Sequence, residues 1–409
     1  MLQDDDFAYF QSLMADFAEF GSTPRGGVCR LAGSDADREA RDFLAARFRV
    51  DLGVEPIIDG IGNMLGIVKT APGAETVVLA GSHLDSQVTG GRFDGTYGVA
   101  AAMTAVRALL RNAHGISFRH NIAVANWTNE EGARFQPSLL GSSVFAGKIT
   151  MIDALRIRDD AGCSVAEALD RIGYLGRGRM SLRPVRALEL HIEQGDVLER
   201  AGRLVAVVDG AWAARKTTLE FIGEAAHTGP TPNRRRRDAL RAAARCITEF
   251  HELCGGESEI HSSAASIRVF PNSPNVIPSL AAVTFEIRMR EAPACNDLGD
   301  RFIAAASELC LPLGVELKVA GDNLRPPVGL CPDGVKFAKS AAADLGMRLP
   351  VMKTVAGHDA LALQHSVPST LLFVQTRDGL SHNEAEDASP ESVRAGLKVF
   401  YQTLRGFVA

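Results

Sequence analysis

Residues 76–98 read TVVLAGSHLDSQVTGGRFDGTYG, and two patterns meet inside them. The first half, TVVLAGSH, is a run of β-branched and small apolar residues, the composition of a strand buried on both faces. The second half is polar, with Gly90, Gly91, Gly95 and Gly98 around Asp94, so the backbone there can fold tightly about an ion. A buried strand that ends in His83 and opens into such a loop predicts an open α/β sheet. Ligands of such sheets gather at the carboxyl ends of the strands.

The stretch NIAVANWTNEE (121–131) repeats the pattern, an apolar run delivering the acidic pair Glu130 and Glu131. His191 in LHIEQG and His382 in GLSHNEAE complete a set with His83, Asp94 and Glu131. Taken singly, a His-x-Asp pair reads as a hydrogen-bonded strand-end histidine, and Glu-Glu as a solvated face. Taken together, the five are the ligand inventory of a two-metal hydrolase. Two divalent ions can share one carboxylate while each takes further His or carboxylate ligands, and together they clamp a water and a carbonyl. Asp94 is the expected bridge, with His83 and His191 on one ion and Glu131 and His382 on the other. Zinc, manganese, cobalt and nickel all suit these nitrogen and oxygen ligands.

A chain of 409 residues with 46% hydrophobic content is long enough for two domains with cores. Its formal charge of -5 and pI near 6.1 give no reason to expect nucleic acid. There is no run of 18 apolar residues, and MLQDDDFAYF is acidic where a signal peptide is basic, so a soluble, cytoplasmic protein is expected. Cys29, Cys163, Cys246, Cys254, Cys295, Cys310 and Cys331 form no C-x-x-C pair and read as reduced, mostly buried residues, with Cys310 in a core.

Ligands at 83–191 and again at 382 require a catalytic domain assembled from both ends, 1–210 and 327–409, with 211–326 inserted. The insertion reads as strand KTTLEFIG, helix RRDALRAAARCITEFHELC, strands ASIRVF and AAVTFEIRMR, helix CNDLGDRFIAAASELC and strand VELKVAG. That β-α-β-β-α-β order predicts a ferredoxin-like split sandwich. Arg234–Arg237 reads as a solvated helix start, since nothing aromatic is interleaved.

These motifs resemble those of the amidase/hydantoinase-carbamoylase family within the dinuclear-metal aminoacylase and carboxypeptidase clan. The family includes N-carbamoyl-L-amino-acid hydrolases, β-ureidopropionases, allantoate amidohydrolases and ureidoglycolate amidohydrolases. The likeness runs from GGVCRLAGSDADREARDFL near residue 26 to SHNEAE, and His191 stands where peptidase relatives more usually supply a carboxylate. It implies an exopeptidase-like α/β catalytic domain with an inserted lid and dimerisation domain, two divalent ions per subunit and a homodimer. It also implies that His227 in GEAAHTGPTP steadies the oxyanion, while Asn275 in SPNVIP and Arg288 in FEIRMR hold the substrate carboxylate. Gln194 is implied as a donor to the substrate.

Glu130 is the expected general base, taking a proton from the attacking water and passing it to the departing nitrogen. Asp85 is expected to fix the His83 tautomer, and His358 to support the site from behind. No G-x-S-x-G elbow is present to make His358 and Asp359 part of a serine triad. The chain departs from the family where Thr354-Val355-Ala356-Gly357-His358-Asp359-Ala360 replaces Ser-Gly-Ala-Gly-His-Asp-Ala, and where Gln375-Thr376 replaces Pro-Ser. Those changes bear on substrate identity. The expected activity is hydrolysis of the ureido C–N bond of an N-carbamoyl-L-amino acid or related ureido acid, releasing ammonia and CO2. Allantoate or ureidoglycolate hydrolysis is the nearest alternative, then N-acyl amino-acid or dipeptide hydrolysis. A silent binding protein has no use for Glu130.

Overall fold

The computed structural model describes residues 1–255 and 259–409. Its strands begin with β1 (Pro56–Ile58), β2 (Met64–Val68), β3 (Thr76–His83), β4 (Asn121–Trp127), β5 (Arg183–Ile192) and β6 (Val205–Ala211). Then come β7 (Ala213–Ile222), β8 (Ala226–His227), β9 (His261–Phe270), β10 (Val276–Ile277), β11 (Leu280–Met289) and β12 (Glu316–Arg325). The last are β13 (Val328–Gly329), β14 (Val351–Thr354) and β15 (Ser369–Val374). The chain divides into two compact units, Met1–Gly210 with Gly329–Ala409, and Ala211–Val328.

The first unit is built on a nine-stranded sheet in the order β1-β2-β4-β3-β5-β15-β6-β13, with β14 beside β6. Strands β4, β3, β5 and β15 run parallel at its centre, and β2 and β6 flank them antiparallel. Side-chain alternation sorts residues between two apolar layers. Val78, Ala80, Ile122 and Val124 join a large core with Phe17, Tyr97 and Phe400, whereas Val77, Leu79, Ala123 and Ala125 join a smaller one with Trp127 and Leu363. This two-sided burial explains why β4 and β15 are apolar almost throughout and buried at every position. Each such Val or Leu contributes ~1.5–3 kcal/mol on leaving water, so a charge at Val124 would break the sheet from its middle.

The same pairing sets the site. The crossover helix Thr96–Arg111 returns the chain from β3 to β4. His83 is thereby paired with Trp127, three residues before Glu130, and Phe373 of β15 is paired with His191. Carboxyl ends of four parallel strands thus converge.

In the second unit the strand order is β12-β7-β11-β9, every neighbour antiparallel. Helices Ala239–Cys254 and Ala292–Cys310 pack on one face, the ferredoxin-like arrangement. Along β11, Ala281, Val283, Phe285 and Ile287 are buried while Ala282, Thr284, Glu286 and Arg288 are not. Phe250, Phe285 and Phe302 form a triangle with ring centroids 4.9, 4.7 and 4.7 Å apart, an aromatic cluster that adds to area burial. All seven cysteines are free, and Cys246, Cys254, Cys295 and Cys310 line this core.

The structure corrects the reading of Arg234–Arg237. The helix begins at Ala239, capped by Asp238, whose carboxylate accepts from the Arg241 N–H at 3.0 Å. Arg236 instead donates to the carbonyls of Thr231 (2.9 Å) and Thr228 (2.5 Å). It closes the loop that carries His227.

Among the described residues no helix is long and apolar enough to cross a membrane.

Candidate metal centre

His83 is the last residue of β3 and is buried. Its Nδ1 lies 2.9 Å from the Asp85 carbonyl, which can only accept, so Nδ1 carries the proton. Nε2 is left facing Asp94 Oδ1 at 3.6 Å and Glu130 Oε2 at 3.5 Å. His191 is held alike, Nδ1 donating to the Ile192 carbonyl at 3.0 Å and Nε2 lying 3.1 Å from Asp94 Oδ1. Two imidazoles therefore address one carboxylate oxygen. The other oxygen, Oδ2, lies 3.3 Å from His382 Nε2, which is 3.2 Å from Glu131 Oε2. Asp94 thus stands between His83 with His191 and Glu131 with His382.

Backbone geometry makes this approach possible. Gly95 has φ of 62°, and a side chain there would overlap the His83 ring. His382 also has positive φ, at 53°, a strain that a folded site has to hold.

The residues fit divalent ions on two observations. His83 Nε2 and Glu131 Oε1 are buried with no hydrogen-bond partner, an arrangement that costs several kcal/mol unless a ligand satisfies it, roughly 1–3 kcal/mol per group. The electrostatics also demand positive charge. Burial opposes ionisation of Asp94, yet its contacts with the imidazoles of His191, His382 and His83 hold its carboxyl well below the ordinary range. Burial likewise opposes charge on His382, but Asp94 and Glu131 push its pKa up to about 11. His83–Asp94–His191 and Asp94–Glu131–His382 are both compact enough to hold an ion, as is a third group, Glu189–His191–His358.

Glu130 is buried beside this centre. Burial pushes its carboxyl well above the usual range, His83 opposes that, and the charges of Asp359, Glu131 and Asp94 reinforce it. A raised pKa is what a proton carrier near neutrality requires.

Asp85 acts differently from expectation. Its backbone carbonyl, not its carboxylate, fixes His83; the carboxylate lies 3.8 Å from Nδ1 and accepts from the N–H groups of Glu130 (3.1 Å) and Glu131 (3.2 Å). It therefore orients the acidic pair. His358 packs edge-on against His191 at 4.5 Å and against Phe373 at 5.1 Å. Gln194, at φ of 63°, donates from Nε2 to Asp94 Oδ2 at 2.9 Å. Its backbone N–H is taken by Thr376 Oγ1 at 3.0 Å, so the threonine that replaces the family's serine keeps a hydroxyl there. Val355 is outside the left-handed region, and no glycine is required at that position.

Several contributors escaped the sequence reading. Glu386 accepts from the Phe93 N–H (3.1 Å), the Asp94 N–H (3.0 Å) and Ser381 Oγ (2.7 Å), tying the His382 loop to the Asp94 loop. Burial, then the charge of Asp94, pushes its pKa up to about 7. Gly91 is needed because any side chain would meet this carboxyl. Gln87 donates to Glu131 Oε2 at 2.9 Å. Glu189 accepts from Ser82 Oγ and the Ala360 N–H, each at 2.7 Å; its place two residues before His191 on β5, on the same face, was the available signal.

The remaining candidates belong to the second unit. His227 and Asn275 meet across a two-stranded ladder: His227 pairs with Val276, and the Thr228 N–H donates to the Asn275 carbonyl at 3.3 Å. Both are exposed. Arg288 lies on β11 and donates to Glu286 Oε2 at 3.2 Å.

Peptidase family M20/M25/M40 matches residues 79–406. An N-carbamoyl-L-amino-acid amidohydrolase of Rhizobium meliloti is 37% identical over 97% of this chain and 94% of its own length. An allantoate amidohydrolase of Escherichia coli is 30% identical over 93% of each chain. The crystal structure of an amidase of the hydantoinase/carbamoylase family from Burkholderia vietnamiensis superposes with a TM-score of 0.93 at 35% identity, covering 99% of this chain and 97% of that one. With a strand-end His, carboxylate and His centre of this form, the chain belongs to peptidase family M20/M25/M40 and, within it, to the hydantoinase/carbamoylase amidases.

Proposed function

We propose that the protein is a dinuclear-metal amidohydrolase that cleaves the ureido C–N bond of N-carbamoyl-L-amino acids or close ureido acids, releasing ammonia and CO2. The observation that carries this is the division of Asp94, one oxygen toward His83 and His191 and the other toward Glu131 and His382. In this reading His83, Asp94 and His191 hold one ion, and Asp94, Glu131 and His382 the other. Bound divalent ions supply Lewis acidity toward the carbonyl and lower the pKa of water.

The chain's own groups do the rest. Glu130 Oε2, 3.5 Å from His83 Nε2, takes the proton of the attacking water and returns it to the nitrogen that departs, a role worth roughly 10²–10⁴-fold in rate. Asp85 keeps Glu130 and Glu131 in register through their N–H groups. Gln194, Ser381 and Glu386 fix the bridging carboxylate and its backbone. His227 steadies the oxyanion, while Asn275 and Arg288 hold the substrate carboxylate. Zinc, manganese, cobalt or nickel is the metal. The chain works in the cytoplasm as a homodimer formed through Ala211–Val328, and seven free cysteines support the reducing compartment.

The second reading is allantoate or ureidoglycolate hydrolysis, supported by the likeness to the allantoate amidohydrolase. The test is ammonia release by enzyme reconstituted with each metal, against N-carbamoyl-L-amino acids, allantoate, ureidoglycolate and N-acyl amino acids. The carbamoyl compounds are expected to turn over fastest. Turnover of acyl amino acids alone would contradict ureido chemistry.

A further inference from the structure

Arg30 is 1% exposed, and its donors reach three segments of the first unit. Nε donates to the Leu84 carbonyl at 2.5 Å, Nη2 to Thr96 Oγ1 at 2.9 Å, and Nη1 to the carbonyls of Phe17 and Phe20 at 2.8 Å each. Its main chain grips the same region. The Arg30 N–H donates to Ser86 Oγ at 2.8 Å, and the Ser86 N–H donates to the Arg30 carbonyl at 2.9 Å. Asp85 is thus held on both sides, at Leu84 and at Ser86. Its carbonyl orients His83, and its carboxylate orients Glu130 and Glu131.

The Nη2 prong ends two residues after Asp94. There the Thr96 N–H donates to the Asp94 carbonyl at 2.6 Å across Gly95, whose φ of 62° and ψ of -49° make a three-residue turn of the strained kind. Such a turn persists only where its surroundings over-determine it. The hydroxyl held by Arg30 anchors its last residue. Nε and Nη2 donate along one edge of a planar, rigid fork, so the Leu84 carbonyl and the Thr96 hydroxyl are kept at the spacing the guanidinium dictates. Nη1 meets the C-terminal end of helix Asp4–Glu19, where the dipole favours a cation. Burial pushes the guanidinium down to about 10, and the charges of Asp37 and Asp85 oppose this, so it stays charged near neutrality.

We infer that Arg30 is a positioning residue of the metal centre, whose fork sets the spacing between the His83 loop and the Asp94 loop and so preforms the site before any ion arrives. Ligands already held in place pay less ordering cost when the ion binds. Lysine has the charge but not the fork, and cannot hold two acceptors at a fixed separation. This rests on the proposed function, which supplies the ions.

Zinc titration calorimetry and amide hydrogen exchange on the full chain test it, both without substrate. Thr96→Val removes the hydroxyl and keeps the shape, Thr96→Ser keeps the hydroxyl, and Arg30→Lys keeps the charge without the fork. Thr96→Val and Arg30→Lys are expected to bind zinc about tenfold or more weakly, the scale of changes behind a metal's ligands, while Thr96→Ser stays near the parent. In the metal-free protein the Glu130 and Glu131 amides, which depend on Asp85, should exchange faster in the two weakened variants. Parent-level zinc affinity in Thr96→Val, or equal losses in Thr96→Val and Thr96→Ser, overturns the role. A lower melting temperature with affinity and exchange unchanged would show a part in stability alone, and overturns it too. If Arg30→Lys fails to fold, the two Thr96 variants decide. An intact chain that binds no divalent ion would instead sink the functional reading, and the exchange comparison would still decide whether Arg30 couples the two loops.

Discussion

Around Asp94 the protein commits polar atoms one by one; around His227 it leaves them exposed. Asp94 Oδ2 is met by Gln194, Ser381 and His382, its N–H by Glu386, and both histidines opposite Oδ1 have their second nitrogen tied to a backbone carbonyl. His227 and Asn275 stand on a two-residue ladder at the surface, with Arg236 closing the loop beneath. The difference matches the tasks proposed for them. Metal geometry has to be fixed within a fraction of an ångström by surrounding hydrogen bonds, whereas groups that meet a substrate must stay accessible until it arrives.

Substitutions in the two regions should therefore fail in different ways. Asp94→Ala removes the carboxylate shared by both triads, and is expected to lose both ions and all turnover while unfolding as cooperatively as the parent; elemental analysis checks it, and full metal occupancy would contradict the bridge. Glu130→Gln should keep its metals and lose roughly 10²–10⁴-fold in kcat; a metal-free Glu130→Gln protein would make Glu130 a ligand instead. Glu386→Gln keeps the size of the strut but weakens its acceptance from the Phe93 and Asp94 N–H groups, and should lower metal affinity by about 10–100-fold, as outer-shell changes do. Calorimetric metal titration reads this directly. Arg288→Ala belongs to the other region and should cost about 2 kcal/mol of substrate binding with unchanged metal content. A loss of metal there would erase the contrast.

The five candidate ligands could be grouped from the sequence because each sits in a short motif on or after an apolar strand, and strand ends in a parallel sheet share one edge; the structure brings these side chains together. The ferredoxin-like order was legible for the same reason, alternation on β11 and helical spacing on either side of it. What stayed hidden depends on contacts across the chain or on main-chain atoms. Glu386 works on a backbone amide 292 residues away, and sequence spacing carries no trace of that. Asp85 was correctly placed near His83, but its carbonyl rather than its side chain holds the ring, and a sequence displays side chains only. The start of the Ala239 helix was set too early because four consecutive arginines read as a solvated helix start, whereas Arg236 donates to the carbonyls of the His227 loop.

The central claim is that Asp94 bridges two ions, and anomalous diffraction from zinc-loaded crystals tests it most directly. Two peaks are predicted, one among His83, Asp94 and His191 and the other among Asp94, Glu131 and His382. A single peak, or a second peak lodged at Glu189, His191 and His358 with Asp94 touching one ion only, would contradict the account.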